Sequence, residues 1–371
     1  MSVILRVLAR RISFLGGIMS KLTVLKFGTS ERLEKMLSFS INEYEYDLIT
    51  NVDDMNELQN KKILFAIELG DTGINIEHVK MLNKIRASGP DFMKNSIGCI
   101  LINSRSELFS RAEARRTIFY ANMAGCMFPG KPLSEATGSL KNFSTRQTIA
   151  EGNTSLEDML LKDSREVVER VVNYTIRRIN APKILALYSG NPKTSNTYAL
   201  WNMVKGNFEN YHINEIHVEN GSVVDCKGCP YKTCKHYSQS TNCFYGGIMV
   251  EEVYPAILDC DVLMMLCPNY NDSINANMSA VINRLTALYR KTKFYDKHFY
   301  SIIVSGFSGS DVLAQQLISA LNINKTFMLP PKFALMETAN NPGDFEKIEN
   351  IREKTKEFAE NIKKRVCMYG D

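Results

Sequence analysis

Four of the chain's nine cysteines fall between Cys226 and Cys243, spaced C-x2-C-x4-C-x8-C. Thiolates grouped this closely usually share a metal, a cluster or a redox task. Four thiolates such as Cys226, Cys229, Cys234 and Cys243 are the usual ligand set of a [4Fe–4S] centre, whose negative charge Lys227, Lys232 and Lys235 would offset. Tetrahedral zinc is the alternative, on the same four thiolates or with His236 replacing one. Plain thiols in a loop are the third. Cys99, Cys126, Cys260, Cys267 and Cys367 lie in or near apolar runs and read as small core residues. His78, His212, His217 and His298 show no partner spacing, so surface or satisfied histidines are expected.

A second group with chemical potential is Ser189-Gly-Asn-Pro-Lys-Thr-Ser-Asn-Thr197, a polar loop between an apolar run and a helical pattern. Hydroxyls and free N–H groups at a helix start, where the dipole is positive, are a means of holding phosphate. The loop is neither a P-loop nor a GxGxxG fingerprint. Its place at the end of a strand favours a ligand role, because ligands of doubly wound sheets bind there.

These groups need elements to position them. Lys183–Tyr188, His212–Val218, Asp261–Leu266, Tyr300–Val304 and Lys325–Leu329 read as strands. Helical patterns follow over 198–204, 250–258, 276–289 and 312–321, and a closing helix capped by Asp344 runs to about Lys364. Such alternation predicts an α/β fold with a doubly wound parallel sheet. Residues 21–144 alternate similarly, as a degenerate α/β domain of the same type. There Lys62–Ile67 echoes the strand at Lys183, and Ser96–Ile102 echoes the segment from Ser301. Residues 145–181 read as a helical connector, 182–371 as the main domain, and 1–20 as a tail or a misassigned start.

Composition narrows the function classes. Hydrophobic residues make up 44% and charged residues 23%, with a net charge of +5 and one Trp, so no nucleic-acid surface is expected. No apolar window approaches a membrane span. Arg6, Arg10 and Arg11 interrupt any export signal, so a cytoplasmic setting that keeps thiols reduced is expected.

The Ser189 loop, then Cys267-Pro-Asn-Tyr270, then Val304-Ser-Gly-Phe-Ser-Gly309, each after a strand, resemble the three cofactor loops of flavodoxin-like NAD(P)H-dependent FMN reductases. The cysteine window resembles that of their iron–sulfur flavoprotein branch. The resemblance covers Lys183 to about Ala339. It implies that Ser189, Asn191, Ser195, Asn196 and Thr197 hold the FMN phosphate. It also implies that Pro268, Asn269, Tyr270 and Asn271 border the isoalloxazine, with Ser305, Gly306 and Gly309 closing its other edge. Electron transfer from NAD(P)H or a reduced carrier to a small acceptor follows as the implied activity, in a homo-oligomer. Ser279 and Asn283 stand where members often carry Lys and Asp, and the middle cysteines are spaced more widely than is common in the iron–sulfur branch.

Overall fold

The computed structural model describes residues 21–149, 154–176, 179–219 and 221–366. Cys367 and residues 1–20 lie outside the described residues. The first sheet is built from β1 (Leu22–Phe27), α1 (Glu31–Ile41), β2 (Tyr46–Ile49), β3 (Lys62–Leu69), α2 (Ile76–Ala87), β4 (Ile97–Ser104), α3 (Ser110–Met123) and β5 (Leu133–Ala136). A short α4 (Ser144–Ile149) and a longer α5 (Leu156–Val172) follow. The second sheet takes β6 (Lys183–Tyr188), α6 (Asn196–Lys205), β7 (His212–His217), α7 (Tyr231–Gln239), α8 (Tyr254–Asp259) and β8 (Val262–Tyr270). It is completed by β9 (Ser273–Ile274), α9 (Ala276–Lys291), β10 (His298–Ser305), α10 (Ser310–Leu317) and β11 (Ala334–Thr338), with α11 (Ile351–Val366) closing the chain.

The order β2-β1-β3-β4-β5 in one sheet matches β7-β6-β8-β10-β11 in the other. Counted within each half, both read 2-1-3-4-5, the flavodoxin-like doubly wound order. Every pairing along these paths is parallel, and only β9 runs antiparallel, against β8. The central strands are apolar on both faces: β3, β4, β8 and β10 are almost wholly buried. Helices therefore cover both sides, as an all-parallel sheet requires. The α/β fold class read from the sequence is the one observed.

Three expectations are revised. The fifth strand of the second sheet is Ala334–Thr338, not Lys325–Leu329. The apolar run Phe327–Leu329 makes only isolated bridges, and Pro330-Pro331 separates it from the strand. Lys62–Leu69 takes the place of β8, third in order, rather than that of β6; the pairing of Ile97–Ser104 with His298–Ser305 stands. The helix at 156–172, read as part of a connector, is present and packs on α1, through Lys35–Glu157 at 2.6 Å and Arg165 Nη2 donating to Phe39 O at 2.8 Å. Asp344 opens a short 3-10 turn over Asp344–Lys347, and the closing helix begins later, at Ile351.

The two halves meet reciprocally. Phe128 and Leu329 exchange both backbone hydrogen bonds at 2.9 Å. Lys131 N donates to Asn322 O at 2.8 Å, and Lys332 N to Asn122 O at 3.1 Å. Asn122 Nδ2 donates to Pro330 O at 2.7 Å; Asn322 Nδ2 donates to Phe128 O and Pro129 O, each at 3.2 Å. This exchange has the pattern of an isologous two-fold contact, formed within one chain. The symmetry is not complete. Phe333 N donates to Asn122 Oδ1 at 3.1 Å, whereas the matching place in the other half holds Pro132, which has no N–H, and Asn322 Oδ1 stays buried without a partner.

Candidate functional site

At the carboxyl ends of β6, β8 and β10 three loops converge on a cavity of about 530 Å3. This is the switch point of the sheet, where strand order reverses between β6 and β8.

The first loop is shaped by its own side chains. Gly190 takes φ +86°, and Asn191 Oδ1 accepts from Lys193 N at 3.0 Å in an Asx turn. Ser195 caps α6 by accepting from Tyr198 N at 3.2 Å. The first N–H groups of α6 have no intrahelical partner, and its first turn holds no acidic residue. An anion is therefore favoured here. His217 braces the loop from β7: its Nε2 lies 2.8 Å from Gly190 O, and its ring stacks on Tyr188 at 4.7 Å.

The second loop is a tight hairpin. Asn271 and Asp272 both take positive φ, 55° and 52°, the signature of a type I′ turn between β8 and β9. The turn leaves Tyr270 at the mouth, 59% exposed. Asn269 Nδ2 reaches Ser305 Oγ at 3.0 Å and Ser308 O at 3.2 Å, while its Oδ1 is buried with no partner. The third loop turns at Gly309, φ +91°, where a Cβ would stand 2.2 Å from Asp272 Oδ1. Phe307, 82% exposed, projects beside the cavity.

Of the residues singled out from the sequence, Ser195, Asn196, Thr197, Pro268, Asn269, Tyr270, Asn271 and Gly306 line this cavity. Ser189, Asn191, Ser305 and Gly309 are not among the lining residues. Asn196 has a second task. Its Nδ2 donates to Asn341 O at 2.8 Å and its Oδ1 accepts from Gly343 N at 3.0 Å, tying the loop after β11 to the start of α6. Phe307 of the third loop also lines the cavity, as do Asp272 and Asn340, which were not read from the sequence. The hairpin is signalled by Asn-Asp between two strand-like pairs; Asn340 carries no local signal.

The cysteine window flanks the same half. Cys226, Cys229 and Cys243 lie around Tyr245, and burial, then these thiols, raise its phenol above the ordinary range. Arg290 Nε donates to Cys234 Sγ at 3.0 Å. Among the described residues no three His, Cys, Asp or Glu side chains are grouped closely enough to hold a metal. The thiols as placed do not form a ready metal site. Burial pushes the thiols of Cys99, Cys260 and Cys267 up to about 12 and that of Cys126 upward too, as suits core filler. No described helix is long and apolar enough to cross a membrane.

Residues 182–341 match the family model described as NADPH-dependent FMN reductase. The resemblance read from the three loops is thus met over the segment that carries them, and the match does not bear on the iron–sulfur branch. Among solved structures, an NAD(P)H:quinone oxidoreductase from Methanothermobacter marburgensis is 12% identical, over 52% of this chain and 100% of that one, at a TM-score of 0.38. The Trp repressor binding protein from Bacillus subtilis is 17% identical, over 47% of this chain and 96% of that one, at 0.33. A putative quinone reductase from Klebsiella pneumoniae is 15% identical, over 49% and 83%, at 0.35. No curated protein matches the chain.

Proposed function

We propose that the second half binds FMN non-covalently in the cavity between its three loops, and that the protein passes electrons from NAD(P)H or a reduced carrier to a small acceptor. The observation that carries this reading is the convergence of an acid-free helix start with an apolar-floored cavity at the switch point of a parallel sheet. The residues fit the cofactor. The start of α6 offers N–H groups and the Ser195 and Thr197 hydroxyls to a phosphate. Pro268 and Val304 give a flat ring an apolar floor, and the unpartnered Asn269 Oδ1 offers an acceptor to a ring N–H. Tyr270 and Phe307 at the mouth exclude water from the reacting face. When bound, FMN supplies hydride acceptance and single-electron release; the protein's part is holding and orienting.

Titration of the protein with FMN, followed by anaerobic addition of NADH or NADPH, tests the reading. Saturable binding and bleaching of the flavin absorbance are expected. Absence of FMN binding overturns the reading, while binding without bleaching by either nucleotide or by a reduced ferredoxin favours a non-catalytic binding module.

A second reading concerns Cys226, Cys229, Cys234 and Cys243 as ligands of a [4Fe–4S] centre or zinc, and the gathering of three of these thiols around Tyr245 favours it. Since the thiols form no ready site, the loop would have to close around the metal. Iron, sulfide and zinc analysis after anaerobic purification decides between cluster, zinc and free thiols.

A further inference from the structure

The first sheet has its own cavity at the carboxyl ends of its strands, of about 480 Å3, lined by Ser30, Glu68, Asn103 and residues around them. That volume suits a small ligand. Strand register places Glu68 opposite Asn103, the positions held in the second sheet by Pro268 and Val304. Where one floor is apolar, the other is a carboxylate and an amide.

Glu68 is 8% exposed. Its carboxylate accepts from Ser30 Oγ at 2.6 Å and from Asn103 Nδ2 at 2.9 and 3.0 Å. Both donors are neutral. Of the cations that line the cavity, Lys35 pairs with Glu157 at 2.6 Å, Arg105 stands 3.8 Å from Asp71, and Arg32 Nη1 donates to Thr137 O at 3.0 Å; none donates to Glu68. A buried carboxylate without a cation is costly. Asn103, itself 4% exposed, lines the cavity with its Oδ1 lacking any partner. The amide cannot be turned round, because an ionised carboxylate only accepts and Nδ2 must face it. The cavity thus holds one buried carboxylate without an ion pair and one spare acceptor.

We propose that this cavity binds a small molecule through a primary ammonium group, which donates to the Glu68 carboxylate and to Asn103 Oδ1. An ammonium brings three donors and one positive charge, which answers both deficits. A metal ion would lack a ligand set, since among the described residues no three His, Cys, Asp or Glu side chains are grouped closely enough to hold one. A phosphate is opposed by Glu31 and Glu34 in the first turn of α1.

Calorimetric titration of the full chain with n-butylammonium tests this, with tetramethylammonium as a cation of equal charge and no N–H. Saturable binding of butylammonium is expected, weakened about ten-fold or more by Glu68→Gln and lost for tetramethylammonium. A thermal melt confirms that the variant is folded; should Glu68→Gln not fold, Asn103→Ser removes the spare acceptor and is expected to weaken binding likewise. Equal affinity for the two cations, affinity unchanged in the folded variant, or no saturable butylammonium binding below about 10 mM would overturn the proposal. FMN binding by the other cavity is read separately by absorbance, so failure of one site is not mistaken for failure of the other.

Discussion

Two cavities occupy the same place in two sheets of one strand order, yet their approaches and floors differ in kind. In the second half seven residues, Ser189 to Ser195, lead from β6 to an α6 without acids in its first turn. In the first half Gly28, Thr29 and Ser30 suffice, and α1 opens with Glu31 and Glu34. Helix direction supplies the same positive end in both, so the side chains around it decide whether an anion is welcome. The comparison teaches that a doubly wound sheet fixes where a ligand sits and leaves its chemistry to about a dozen loop residues.

The sharpest way to break the comparison is to make the second half resemble the first. Replacing Ser189–Ser195 by Gly-Thr-Ser should lower FMN affinity about a hundred-fold or more while the sheet stays folded, because the phosphate loses its donors. Flavin absorbance titration, with circular dichroism as the check on folding, reads this out. Unchanged affinity would place the phosphate elsewhere.

A smaller contrast lies in acid sensitivity. Asn75 and Asn275 cap equivalent helices, accepting from His78 N at 3.1 Å and from Met278 N at 3.0 Å. His78 is fully buried, its Nε2 2.8 Å from Thr117 Oγ1, and burial together with Arg116 pulls its imidazole down to about 4 from 6.5. The unfolded chain binds this proton first, so the stability His78 allows is intact above about pH 6.5 and falls as pH drops toward 4. The loss is on the order of 3 kcal/mol. His78→Met, which copies the other half, should flatten urea-unfolding stability across that window. A slope as steep as that of the parent would remove His78 as its source.

How much of this was legible depended on where the information lay. Buried parallel strands announce themselves as apolar runs, which is why Lys183–Tyr188 and Tyr300–Val304 were readable and the three loops at their ends with them. Phe327–Leu329 is equally apolar, but its Leu329 bridges Phe128 of the other half, a partner about two hundred residues away that no local pattern encodes. The same holds for His217, which reaches Gly190 only because β7 pairs with β6. Asn196 was readable as a loop amide, but not its tie to Asn341 and Gly343.

The smallest expected effect concerns the seam between the halves. Asn122→Ala removes acceptance from Phe333 N and donation to Cys126 O and Pro330 O, and should cost about 2 to 3 kcal/mol in urea. Asn322→Ala should cost about 1 kcal/mol less, since its Oδ1 already lacks a partner. Equal costs would show that Pro132 is not what sets the two asparagines apart.

That seam also changes how the protein answers to dilution and to mutation. A two-fold contact between separate chains weakens as the chains are diluted, whereas one inside a single chain is intramolecular and holds at any protein concentration. In a dimer of identical chains every substitution appears twice, once on each side of the axis. Here Pro132 stands on one side and Phe333 on the other. Joining the halves makes each side separately editable, so the loop before one helix is free to shorten while the other keeps its length.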